Sequence, residues 1–196
     1  MHCSPEHETS MLYTTHWDAL LLQGYKLTGV GSSDSHHPTQ DGPWEMGKIL
    51  TWVYADSLSQ AGILKALKQG RAYVGINGTR MAFLATAGSK KALMGDTLYL
   101  APGETARFAL SLFDHPPGYL YIYADGFILD AVYVEQAGSS EHFFKLDYDW
   151  IGAKGSFVRV EFHEAKEPPR FHGMVFRDHL SARLISNPIW LEREEN

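Results

Sequence analysis

A chain of 196 residues, 44% hydrophobic and 20% charged, is long enough to bury a sizeable core and has the composition of an ordinary folded protein. A formal net charge of −6 with no basic stripe excludes nucleic acid as a partner class. The single cysteine, Cys3, excludes an intrachain disulfide, and no apolar run approaches the about 20 residues of a membrane span. The first residues lack the basic-then-apolar order of a signal peptide, so the chain is expected to be soluble, with no membrane partner and no compartment assigned.

Residues 1–13 are polar and irregular and are expected to be poorly ordered. Thr15 followed three residues on by Asp18 is a helix-start pattern. Trp17, Leu20, Leu21 and Gly24 then predict an apolar stripe with Gly24 as its stop. Leu27, Thr28 and Val30 predict a short buried strand, and Gly31-Ser32-Ser33-Asp34-Ser35-His36-His37 the loop that ends it. In an extended segment, side chains two positions apart share a face. Asp34 and His36 therefore converge, and a carboxylate beside an imidazole at a strand end is a candidate pair of divalent-metal ligands. The competing reading is a polar loop in which Asp34 and Ser35 make local turns.

Pro38, Gly42, Pro43 and Gly47 punctuate a long connection, the best candidate for a lid, with Trp44 either a packing anchor or a substrate contact. Residues 49–54 predict a second buried strand, and Ser57 with Gln60 a capping box. The helix that follows turns Ala61, Ile63, Leu64 and Leu67 inward and stops at Gly70. Arg71 is either a cation favoured by the helix C-terminus or a contact to an anionic substrate. Residues 15–75 thus form a helix–strand–loop–strand–helix–strand unit, a remnant of α/β architecture.

From about residue 79 the helical period gives way to short alternating runs separated by turn residues. Phe108, Leu110 and Leu112 share a face, as do Val158, Val160 and Phe162, with Arg159 and Glu161 expected toward solvent. Asp125-Gly126 between two such runs is a two-residue hairpin signal. About seven or eight strands fit an antiparallel β-sandwich. The fold class is therefore α+β: a partial α/β unit over residues 1–78, then a β-sandwich over residues 79–196. His142, His163, His172 and His179 follow no metal spacing and are read as surface or satisfied histidines. Tyr119, Tyr121 and Tyr123 share a face, either as sheet packing or as a sugar-binding platform.

The order of these features resembles the last third of a PHP (polymerase and histidinol phosphatase) domain. The residues that carry it are Trp17-Asp18-x-Leu20-Leu21-x-x-Gly24, the Gly31–His37 run, Thr51-x-Val53, the helix-like stretch 59–69 and Gly70-Arg71-x-Tyr73. In particular it is similar to the carbaryl-hydrolase-like branch, in which a β-rich segment follows the catalytic domain. Ser186-Asn187-Pro188-Ile189-Trp190 also looks like the end of such proteins. The family gathers its ligands from an early His-x-His, from mid-domain His and Glu or Asp residues, and from a final Asp-x-His. Only the last is matched here, at Asp34 and His36.

The resemblance implies the C-terminal portion of a metal-dependent phosphoesterase that acts on a small-molecule phosphoester or related ester. Divalent metal ions (Zn, Mn or Fe) would be held by Asp34 and His36, with His37 and Arg71 as weaker candidates for substrate contact. With most ligands outside this sequence, the isolated chain is expected to be inactive, and a homodimer or a complementing N-terminal fragment is expected as partner. The alternative is a non-catalytic β-sandwich module that binds carbohydrate or protein.

Overall fold

The structure is a computed structural model and describes residues 9–37, 39, 45–152, 155–165 and 182–194, with side chains from Thr14 onward. The expectations for residues 1–8, for Trp44 and most of the candidate lid, and for His172 and His179 lie outside the described residues. In chain order the elements are α1 (Thr9–Leu22), β1 (Ile49–Val53), α2 (Gln60–Lys68), β2 (Ala72–Ile76), β3 (Arg80–Ala87), β4 (Lys90–Leu93), β5 (Thr97–Leu100), β6 (Thr105–His115), β7 (Gly118–Ala124), β8 (Phe127–Val134), β9 (Gly138–Asp147), β10 (Ser156–Glu164), β11 (Ala182–Ser186) and β12 (Ile189–Arg193). Among the described residues no helix is long and apolar enough to cross a membrane.

The alternating runs build two sheets packed face to face, so the fold is α+β with a β-sandwich. The smaller sheet has the order β4–β3–β6–β9. In the larger one β10 is central, with β7 and then β8 on one side and β11 and β12 sharing the other. β11 continues to β2 and β1, while β12 pairs in parallel with β5. Phe83, Phe108, Leu110 and Leu112 face Val158, Val160 and Phe162 across the core, as the alternation predicts. The Phe108 and Phe144 rings stack with centroids 4.6 Å apart.

The hairpin expected at Asp125-Gly126 forms between β7 and β8, both turn residues having positive φ (49° and 78°). Gly70 ends α2 in the left-handed region at φ 73°. The cap at the other end falls two residues later than expected. Ser59 accepts the Gly62 N–H at 3.1 Å, while the Ser57 hydroxyl rests 2.9 Å from that of Ser59. Ala66 is the buried residue of the helix, and Leu64, expected inward, is 48% exposed.

One further expectation is corrected. α1 begins at Thr9 rather than Thr15, and its buried face is Thr14, Trp17, Asp18 and Leu21, so Asp18 belongs to the packed stripe. The boundary expected between residues 78 and 79 falls in the turn from β2 to β3. β2 pairs with β11, so strands from before that turn lie in the same sheet as strands from after it. The helix-linked strands β1 and β2 run antiparallel. A second core, formed by Trp17, Leu21, Ile49, Val74, Phe157, Ile185 and Trp190, fills the space between α1 and the outer face of the large sheet.

Asp125 also ties the hairpin to β10, accepting the Phe157 N–H at 2.9 Å and the Ser156 hydroxyl at 3.0 Å. Burial pushes its carboxyl above the usual aspartate range, against the lowering effect of those two bonds. With the folded value above the unfolded one, the stability this group contributes is complete below about pH 4 and declines as pH rises through the folded value. Asp125→Asn keeps a residue that tolerates positive φ and is expected to remove that decline. Urea midpoints should therefore shift in the variant's favour between pH 4 and pH 7; a shift in the parent's favour contradicts this.

Candidate functional site

The candidate site hangs from a run of backbone that is extended but belongs to no sheet. Leu27–Val30, expected as a buried strand, has no ladder partner among the described residues, and Leu27 and Val30 are exposed. Side chains replace the ladder. Asn187 accepts the Gly29 N–H at 2.7 Å and donates to the Gly29 carbonyl at 2.9 Å and to that of Ala72 at 2.7 Å. Thr51 does the same two steps on, accepting the Gly31 N–H at 3.0 Å and donating to its carbonyl at 2.8 Å. Trp17 Nε1 donates to the Leu27 carbonyl at 3.0 Å, and Thr28 Oγ1 to the Leu67 carbonyl at 2.7 Å. Gly31 lies so close to β2 that a Cβ there would stand 2.5 Å from Val74 Cγ1.

Asp34 and His36 follow directly from this pinned run. Asp34 has φ 53°, so the segment is not extended there, and the alternation argument does not apply as expected. The two side chains meet nonetheless: His36 Nε2 lies 3.9 Å from Asp34 Oδ1, with the side chains 73% and 48% exposed. That separation fits inside the about 4.2 Å spanned by two metal–ligand bonds of about 2.1 Å. An anionic oxygen and an imidazole nitrogen thus suit two coordination positions of a divalent cation. Among the described residues no group of three His, Cys, Asp or Glu side chains converges. His37 is exposed, and its carbonyl accepts the Ser35 hydroxyl at 3.0 Å.

Arg71 is committed elsewhere. Its Nη2 and Nε donate to Asp96 Oδ1 at 3.0 and 3.3 Å, and Asp96 Oδ2 accepts the Leu93 N–H, which joins the end of α2 to the β4–β5 turn. Beside that junction an open cleft of about 110 Å³ runs between Lys26, Lys68, Gly70 and Trp190.

The residues that sequence reasoning missed lie beneath α1. Arg159, expected in solvent, is fully buried, and its Nε and Nη2 make paired bonds of 2.6 Å to the two carboxylate oxygens of Asp18. Its Nη1 donates to Glu161 Oε1 at 2.5 Å, and Glu161 Oε2 lies 2.9 Å from His163 Nε2. The guanidinium carbon stands 4.1 Å from the Tyr123 ring centroid and 5.7 Å from that of Trp17. Burial opposes the charge, but Glu161 and Asp18 together hold the guanidinium charged beyond its ordinary range. Asp18 at i+4 from Thr14 on the packed stripe was the one available signal. Tyr123 is buried under Arg159 and Tyr121 is 5% exposed, so the tyrosines form no open platform of three rings.

No protein-family model matches this chain, and no curated protein matches it.

Asp18→Ala leaves a buried cation without its paired carboxylate and is expected to cost about 3–5 kcal/mol in equilibrium denaturation. Asp56→Ala, which breaks an exposed pair with Lys65, is expected to leave the midpoint unchanged; equal losses in the two variants contradict this. Asn187→Ala leaves buried polar groups at Gly29 and Ala72 without partners, an expected cost of about 3 kcal/mol. Limited proteolysis should then cut within residues 25–37 in the variant and spare them in the parent.

Proposed function

We propose that this chain is the C-terminal portion of a PHP-type metal-dependent hydrolase and that Asp34 and His36 supply two ligands to a divalent cation (Zn, Mn or Fe). The remaining ligands would come from a preceding part of the polypeptide or from a complementing one. The observation that supports the reading best is the approach of a carboxylate and an imidazole to 3.9 Å, both open to solvent, at the end of a backbone run held by four side chains. The order of sequence motifs that resembles the family supports it independently.

A divalent cation held by Asp34 and His36 would supply Lewis-acid activation of water and of the ester oxygen of a small phosphoester or related ester. The chain's own contribution is positional. Asp34 brings negative charge that favours the cation. His36 brings a donor that must be neutral to ligate, which makes affinity fall in acid. His37, adjacent and exposed, and Arg71, which is bonded to Asp96, are the weaker candidate contacts for substrate. With two donors among the described residues, the isolated chain is expected to hold the cation weakly and not to turn over phosphoesters.

Calorimetric titration of the metal-stripped chain with Zn²⁺ or Mn²⁺ tests this. One weak equivalent is expected, with affinity at least about 10-fold lower in Asp34→Ala and in His36→Ala, and with unchanged denaturation midpoints because both side chains are exposed. Undiminished affinity in either variant, or no binding by the parent, overturns the ligand assignment.

A further inference from the structure

Away from that loop, at the rim of the small sheet, two histidines converge on one serine oxygen. Ser140 Oγ, on the outer strand β9, lies 3.0 Å from His115 Nε2 and 3.2 Å from His142 Nε2. The other nitrogen of His115, Nδ1, lies 2.8 Å from the carbonyl oxygen of Pro116. A carbonyl can only accept, so Nδ1 carries the His115 proton and Nε2 presents a lone pair. The Ser140 hydroxyl must therefore donate to His115. Its own lone pairs are left to accept from His142 Nε2–H. The polarity of the whole chain follows: His142 N–H to Ser140 O–H to His115 N, and His115 N–H to Pro116 O.

The backbone explains how His115 reaches this place. Pairing of β6 with β9 shifts register between Leu112 and His115, and Asp114 within the shift has φ 53°. The irregularity turns the imidazole inward, where it is 2% exposed and packs edge-on against Phe162 with centroids 5.3 Å apart. Ser140 and His142 are half-buried at the sheet's outer strand, while His115 is buried. Burial, and then the neighbouring His115, push the His142 imidazole below its usual range, which keeps it a neutral N–H donor at neutral pH.

We propose that Ser140 is a nucleophilic serine, with His115 as its general base and His142 donating to its oxygen, that takes acyl or phosphonyl groups from small activated electrophiles. In the step, a bond forms from Ser140 Oγ to the acyl carbon or phosphonyl phosphorus, and the bond from that atom to its leaving group, an oxygen or fluoride, breaks with the electron pair on the leaving group. The serine proton passes to His115 Nε2 and from there to the departing oxygen, or stays on His115 until solvent takes it where fluoride departs. His142 N–H, bonded to Oγ, fixes the orientation of the hydroxyl so that its proton points at His115. The partner of His115 Nδ1 is a neutral carbonyl, not a carboxylate, so the imidazolium formed is less stabilised than in a Ser-His-Asp triad. That restricts the electrophile to one with a good leaving group and favours a long-lived adduct over rapid turnover.

The test treats the full chain with an alkyl fluorophosphonate, followed by intact mass measurement and peptide mapping. The expected result is one adduct per chain on Ser140, with fluoride released. Ser140→Ala should abolish the label, and Asp34→Ala should leave it untouched, which separates this site from the metal loop. His115→Gln should slow labelling by about 100-fold or more, and His142→Gln by a smaller factor. If His115→Gln does not fold, the pH profile of the parent decides. A rate that levels off after one ionisation in the imidazole range supports the proposal; a rate that rises with hydroxide throughout overturns it. Absence of label on Ser140, or equal labelling of folded His115→Gln, overturns it as well.

Discussion

A guanidinium with no access to solvent governs how this molecule is assembled. Arg159 sits on the outer face of the central strand of the large sheet, where removal from water would be prohibitive without compensation. Asp18 answers it with both carboxylate oxygens from a helix 141 residues earlier in the chain, and Glu161 answers from two positions along the same strand. Satisfying that charge dictates where α1 lies. Once α1 is there, Trp17 and Leu21 close over Val74 and Phe157, and the sheet acquires a second buried face. Such a group is weak evidence for net stability, since apolar residues of equal volume could pack as well, but it is a strong constraint on which helix face docks and at what register.

The same docking carries the candidate metal loop. Trp17, fixed beside Arg159, donates to Leu27; Asn187, at the break between β11 and β12, holds both polar groups of Gly29; Thr51, on β1, holds both of Gly31. Elements distant in sequence thus act together as a surrogate strand neighbour. The backbone leading to Asp34 is fixed by side chains of the scaffold, while the Asp34 and His36 side chains are 48% and 73% exposed. Ser140 with its two histidines stands apart, on the other sheet, and depends on a strand irregularity instead of on α1.

What could be read from sequence divides along a physical line. The Asp125-Gly126 hairpin, the Gly70 helix stop and the inward sets of β6 and β10 were legible because each is decided by residues within one turn or one strand. Arg159 and Glu161 were not, because a period of two tells which side chains share a face and says nothing of whether that face is covered. The Leu27–Val30 run was misjudged for a related reason: its apolar residues suit a strand, but its hydrogen bonds go to side chains from distant positions. Asp34 and His36 came together as expected, though through a left-handed residue and not through extended geometry. The Ser140 cluster depends on a register shift, and alternation in either strand alone gives no sign of it.

Whether the acid and the imidazole of the pinned loop share one cation is the deciding question. Zinc-soaked crystals measured at the metal absorption edge address this directly. The account predicts an anomalous peak within about 2.3 Å of both an Asp34 carboxylate oxygen and a His36 ring nitrogen. A peak bound to one of the two alone, or ordered zinc at other histidines with none in this loop, would contradict it.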